Sequence, residues 1–430
     1  MICVYGIWHL GAVTAACLAD LGFETVGLPA SAELAADLRL GKPPLYEPGL
    51  AELISKGVAV GRLDFTARYD VVKQADLVWV TFDTPVDDSD IADVEFVLNQ
   101  VQRLFDHLKD GAVVLISSQL PVGSTALLES AFSMIAAGRR VSFACSPENL
   151  RLGQALDTFL NPKRIVVGVR EERAKEVLAP VMTRICPNIL WMGVESAEMV
   201  KHALNTFLAT SIVLTNEMAT ISERVGADFS EIERALRLDP RIGQHAYVRA
   251  GSAFGGGTLA RDVKFLEALA AKQHLNTPTI GSVLRSNEEH RDWVLTRLKE
   301  RVGSLEGKSI GLLGLAYKAG TDSIRRSSAI QLGDSLAAAG CTVKAFDPKV
   351  RKLPPRIGSF LQVTADVAAT FADSDAVVIG TEWPEFRVLP IAELMATARR
   401  QILIDQNGFL DQQVQGPATS IEYLVLGRSL

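Results

Sequence analysis

Apolar residues recur along the chain in two rhythms, short unbroken runs and longer stretches in which they return every three or four positions. The opening ICVYGIWHLGAVTAACLADLGFETVGL reads as strand, glycine turn, helix, glycine stop and second strand. Apolar runs follow at 76–82 (DLVWVTF), 112–118 (AVVLISS), 141–145 (VSFAC), 165–169 (IVVGV) and 188–192 (NILWM), separated by segments of helical period. Such alternation predicts a parallel sheet covered by helices on both faces. From residue 308 the pattern restarts with KSIGLLGLAYK, a helix ending at Gly340, CTVKAFDP with Asp347 closing the strand, DAVVIGTEWPEF and ILIDQNG.

Between these regions, 196–226 predicts one long helix, a rod of roughly 43 Å. Ser196 is placed as its N-cap, Glu198 in its first turn offsets the macrodipole, and Gly226 ends it. At 100° per residue Lys201, Asn205, Ala209, Ile212 and Asn216 share one narrow wedge, so a lysine and two amides lie among small and aliphatic residues. The expected fold class is α/β, with two Rossmann-like doubly wound domains (1–195 and 301–430) joined by a long central helix and an all-helical middle domain (196–300).

A chain of 430 residues is too long for one core, in keeping with several domains. A net charge of −6 gives no electrostatic reason to expect nucleic acid as a partner. Without a charged leader or a long apolar segment, no membrane association is expected and the location is expected to be cytoplasmic. The five cysteines, Cys3, Cys17, Cys145, Cys186 and Cys341, form no CxxC pair, so reduced thiols and no metal are expected.

The residues of unusual chemistry fall after the strands, where open α/β sheets bind their ligands. The first turn runs Gly6-Ile7-Trp8-His9-Leu10-Gly11, a dinucleotide fingerprint with tryptophan at its second glycine. At the end of the second strand stands Pro29, which offers no carboxylate to ribose hydroxyls. The loops DTPVDD (83–88), SSQLPVGST (117–125) and SPENLRLG (146–153) follow later strands, the last with Glu148 and Arg151 as a local ion pair or as site residues. Gly255-Gly256-Gly257 is an anion cradle or a plain turn.

PLYEPGL at 44–50, SPENLRLG, FLNPKRIVVG at 159–168, SAEMVKHALNTFLA at 196–209, LDPRIG at 238–243, FGGGTLARD at 254–262 and GLAYKAGTDSIRRSS at 314–328 resemble the UDP-glucose/GDP-mannose dehydrogenase family. The resemblance covers nearly the whole chain. It implies oxidation of a sugar nucleotide at C6 from alcohol to carboxylate, with two NAD, a cysteine thioester and a homodimer built on the long helix. Lys201 and Asn205 match the family residues that hold the reacting oxygen and its water, and Asp262 matches the aspartate paired with that water. Glu148 matches the loop glutamate over the sugar. On the substrate side the resemblance implies Arg151, Gly255 and Gly256, Arg241 reaching the neighbouring subunit's sugar, and Lys318 as a basic contact.

The same resemblance marks departures. The nucleophilic cysteine falls on Thr258, a threonine near the catalytic water on Gln119, and a cofactor-contacting arginine on Asn407. With Trp8 and Pro29, these changes lie on the redox side and leave Gly6 and Gly11 as a degenerate NAD turn. The expectation is a nucleotide-sugar-binding protein, with a UDP-sugar or related ligand, that has lost the two-step NAD oxidation and serves non-redox acid/base chemistry. The alternatives are a working NAD-dependent 6-dehydrogenase or single-step oxidoreductase, and a silent subunit or sensor. Cys145, His9 and His245 are the candidates to substitute chemically; Cys145, ending an apolar strand, reads first as a buried small side chain.

Overall fold

In the computed structural model the described residues are 1–87, 91–136, 138–255, 257–414 and 420–429, which leaves Asp88 and Gly256 outside. The chain forms two compact units, Met1–Leu204 and Asn205–Leu430, and the division falls within the long helix.

The first unit holds eight strands: β1 (Ile2–Tyr5), β2 (Thr25–Leu28), β3 (Leu63–Phe65), β4 (Leu77–Val80), β5 (Val113–Ile116), β6 (Ser142–Cys145), β7 (Ile165–Gly168) and β8 (Ile189–Met192). Their spatial order is 3-2-1-4-5-6-7-8. From β3 to β6 every pairing is parallel, and β1 to β6 bury nearly every residue, as a sheet covered on both faces requires. The expected all-parallel sheet is corrected at its edge. β7 meets β6 antiparallel, at Cys145 and Gly168 alone, before β8 pairs parallel to β7. The link between β6 and β7 carries only the six-residue helix Ala155–Leu160, short for a helix that must span the sheet and return the chain to the same end.

The second unit begins inside the central helix, Val194–Val225, and continues through helices Phe229–Leu238, Thr258–Lys272, Pro278–Arg291 and Trp293–Val302. Its sheet has strands β9 (Ser309–Leu313), β10 (Thr342–Phe346), β11 (Leu361–Val363), β12 (Ala376–Ile379), β13 (Ile402–Ile404) and β14 (Glu422–Leu424), in the order 11-10-9-12-13-14 and all parallel. Inside the unit, Glu223 of the central helix pairs with buried Arg297 at 2.9 Å and accepts from Trp293 Nε1 and Gly427 N.

The central helix starts at Val194, ahead of the expected cap Ser196. Glu198 does not serve its own helix end. Its carboxylate accepts Gly123 N at 2.6 Å, Thr125 N at 2.9 Å and Thr125 Oγ1 at 2.7 Å, and so caps the neighbouring helix Ser124–Ile135. The stop at Gly226 holds, with φ +77° ending the helix in the left-handed region.

Candidate functional site

The polar wedge of the central helix anchors a different segment at each position. Lys201 Nζ donates to the Glu148 carbonyl at 2.7 Å, approaches Glu148 Oε1 at 3.4 Å and reaches Asn149 Oδ1 at 3.3 Å. One turn on, Asn205 Nδ2 donates to Asp262, which is fully buried. Three turns further, Asn216 Oδ1 accepts from Gly251 N at 2.9 Å. A lysine and two amides among apolar residues are thus explained by what they hold.

Within the first unit, Glu148 Oε2 also accepts from Leu150 N at 2.8 Å, which shapes the 146–153 loop around its own carboxylate. Glu148 therefore faces Lys201, while Arg151 is exposed. A small cavity of about 20 Å³, room for one water, lies against Ser118, Gln119, Cys145, Glu148, Lys201 and His202. Burial pushes the Cys145 thiol well above its ordinary range, so it is no substitute nucleophile in this state.

Within the second unit, four side chains clamp the segment that leads to Thr258. Asn287 accepts from Phe254 N and donates to Phe254 O, Asn407 Oδ1 accepts from Ser252 N at 2.7 Å, Asn216 takes Gly251 N, and His290 Nε2 lies 2.9 Å from Gly251 O. Burial lowers the His290 pKa, favouring its neutral form. Thr258 is the first residue of helix Thr258–Lys272 and is exposed; Asp262 follows one turn later on the buried side. Asn407 Nδ2 also donates to Glu382, so both ends of this amide are engaged inside the unit. Gly255 is partly buried, Lys318, Arg241 and His245 are exposed, and Arg241 pairs with Asp239 at 2.7 Å. Gly256 lies outside the described residues.

The glycine turn keeps the backbone that a dinucleotide pyrophosphate needs. Gly6 has φ +99°, and a Cβ at Gly11 would lie 2.3 Å from the Gly6 carbonyl oxygen, so both positions require glycine. Trp8 is 49% exposed, its indole facing solvent. The main chain therefore fits NAD, with Gly6, Gly11 and the amides opening helix His9–Asp20 as its holders. The ribose contact is poorer: Pro29 is buried without an acceptor side chain, and Ser31 Oγ already accepts from Leu34 N at 3.2 Å. His9 Nε2 lies 2.8 Å from buried Glu47.

Three family models match in succession: the NAD binding domain of the UDP-glucose/GDP-mannose dehydrogenase family over residues 1–186, its central domain over 195–289 and its UDP binding domain over 311–412. The chain is 31% identical over 431 residues to UDP-glucose 6-dehydrogenase TuaD of Bacillus subtilis (strain 168), covering 99% of this chain and 93% of that one. The chain belongs to the UDP-glucose/GDP-mannose dehydrogenase family. A second member of the family, a UDP-glucose 6-dehydrogenase of Pseudomonas aeruginosa, is 32% identical over 94% of this chain and 92% of its own length. Among solved structures, a UDP-glucose dehydrogenase from Pyrobaculum islandicum superimposes with a TM-score of 0.84 at 30% identity, covering 100% of this chain and 98% of that one. In this family member, sequence reasoning missed Glu47, Asn287 and His290 and misread Glu198, whose partners all lie far away along the chain.

Proposed function

We propose that this protein is an NAD-dependent nucleotide-sugar dehydrogenase that oxidises the C6 alcohol of a UDP-sugar to the aldehyde without forming a thioester on the protein. The observation that supports it best is the central helix face, where Lys201 and Asn205, one turn apart, are engaged by Glu148 and Asp262 respectively. Alcohol oxidation requires a group to take the hydroxyl proton and fixed polar groups around the oxygen. Lys201 Nζ, anchored by the Glu148 carbonyl and carboxylate, is the donor placed to hold the C6 oxygen as its proton passes to water. The family resemblance assigns Asn205 and Asp262 to the oxygen and its water, and the buried bond between them fixes the direction of the amide. Gly6, Gly11 and the amides opening helix His9–Asp20 would hold NAD, which would supply the hydride acceptor.

Thr258 stands where the family pattern has its nucleophilic cysteine. A hydroxyl ionises far less readily than a thiol and leaves poorly from an ester, so the aldehyde is not captured on the protein. A second oxidation would have to start from the aldehyde hydrate. Incubation with UDP-glucose and NAD should give one NADH per sugar, with the aldehyde trapped by hydroxylamine; no rise in NADH absorbance with UDP-, GDP- or dTDP-sugars would remove the proposal.

Pro29, buried and without an acceptor, favours a second reading, a nucleotide-sugar-binding protein without redox activity. Calorimetry that finds micromolar sugar-nucleotide binding, about −8 kcal/mol, alongside no NAD binding would support it. Both readings include a homodimer. Phe207, Leu214 and Ile221 of the central helix are exposed two turns apart and form an apolar stripe that a second copy would cover. Phe207→Asp should shift the sedimentation of the protein from dimer to monomer, and an unchanged profile would count against that interface.

A further inference from the structure

Glu47, in the PLYEPGL segment, is buried and connects two parts of the first unit that the proposed reaction needs together. Its Oε2 lies 2.8 Å from His9 Nε2 and accepts from Gly153 N at 2.9 Å, while its Oε1 accepts from Ala155 N at 2.8 Å. The His9 and Glu47 side chains are 13% and 1% exposed, so water competes little for these bonds. His9 is the first residue of the helix that follows the glycine turn. Gly153 and Ala155 close the loop that presents Glu148 to Lys201. Burial opposes ionisation of Glu47, yet the Gly153 and Ala155 N–H groups, with His9, hold its carboxyl below the usual range.

We propose that His9 and Glu47 are a positioning pair through which the glycine turn sets the conformation of the 146–153 loop, and with it the placement of Glu148 against Lys201. The inference rests on the reading above, in which that loop meets the sugar nucleotide. One carboxylate oxygen is shared between the imidazole at the turn and an amide of the loop, so displacement of His9 alters the bond that holds Gly153. A ligand that moves the turn then changes sugar-nucleotide affinity, and by linkage the sugar nucleotide changes the affinity of the turn for its own ligand. Trp8 sits at the same turn, is half exposed and gives Glu47 no side-chain bond, which makes it the control.

The test uses the full chain and two readouts. Hydrogen exchange follows the Gly153 and Ala155 amides, and calorimetry follows UDP-glucose affinity. His9→Phe should speed exchange at both amides about tenfold and weaken UDP-glucose about fivefold, although the substitution lies at the other turn. His9→Gln, which keeps a donor, should bring both back to within about threefold of the natural protein, a rescue that a general packing defect would not show. Trp8→Gly should leave exchange at the loop unchanged. Loop exchange unaltered by His9→Phe, failure of the Gln rescue, or equal loosening by Trp8→Gly would each overturn the pair. If His9→Phe does not fold, isosteric Glu47→Gln, which loses an acceptor, carries the same expectation. Absence of binding across UDP-, GDP- and dTDP-sugars would remove the dehydrogenase reading, while the exchange rates would still decide on His9 and Glu47.

Discussion

In the first sheet Pro29 directly follows the second strand; in the second sheet Asp347 directly follows the corresponding strand. The two sheets share their first six positions, 3-2-1-4-5-6 and 11-10-9-12-13-14. Each first strand is followed by a glycine of positive φ, Gly6 at +99° and Gly314 at +91°. A carboxylate closing the second strand is the usual sign of a ribose contact. Yet Asp347 is fully buried and accepts from Leu315 N, Ala316 N, Lys349 N, Val350 N and Trp383 Nε1. Burial opposes its ionisation, and these main-chain donors hold its carboxyl below the usual range nonetheless. The acid staples the turn that follows the first strand of its sheet. The first turn has the open backbone without the acid. A strand order offers a nucleotide crevice, but what remains free at the strand end decides whether the crevice is used.

The largest expected effect is at Asp347. Asp347→Ala would leave five donors unmet, four of them in buried bonds, and should destabilise the second unit by about 3–5 kcal/mol, read from its thermal unfolding. The folded pKa is depressed, so this stabilisation is fully present above the ordinary carboxylate value of about 4 and is lost as pH falls through the lower folded value. The stability gap between natural and variant proteins should therefore close in acid. A gap that is small at neutral pH would show that Asp347 is not a staple.

Thr258→Cys, in the same unit, should raise acid production about tenfold or more and move the yield from one NADH per sugar toward two, measured by absorbance and product analysis. An unchanged yield would place the limit in the first unit. Pro29→Asp supplies the missing acceptor there and should tighten NAD about tenfold by calorimetry, whereas no change would mean that this turn is not a dinucleotide site. Smallest of all, Trp8→Gly should alter NAD affinity by less than about threefold, because the indole already faces solvent. A large gain would show that the indole turns inward when the cofactor arrives.

What was legible in the sequence was what repeats with a period or ends with a glycine. The buried runs became strands, and Gly226 and Gly340 end their helices at positive φ. The polar wedge of Lys201, Asn205 and Asn216 was visible as a pattern, though its three partners were not. Glu198 was misread because a carboxylate near a helix start has a local explanation; its actual partners lie 75 residues back. Glu47 acts on an amide 106 residues away, a distance at which no spacing rule applies. The reversal of β7 was hidden for the same reason, since alternation fixes the kind of element and leaves its direction to the length of the connection.

Asn407 carries a consequence on the timescale of storage. It is followed by Gly408, and an asparagine before glycine is open to attack by the next amide nitrogen, the common route of deamidation. Its Oδ1 holds Ser252 N and its Nδ2 faces Glu382 at 2.5 Å. Conversion to aspartate would preserve an acceptor for Ser252 and set a second carboxylate against Glu382. Chemical ageing of this chain would therefore first loosen the clamp on the segment leading to Thr258 and leave the two sheets intact.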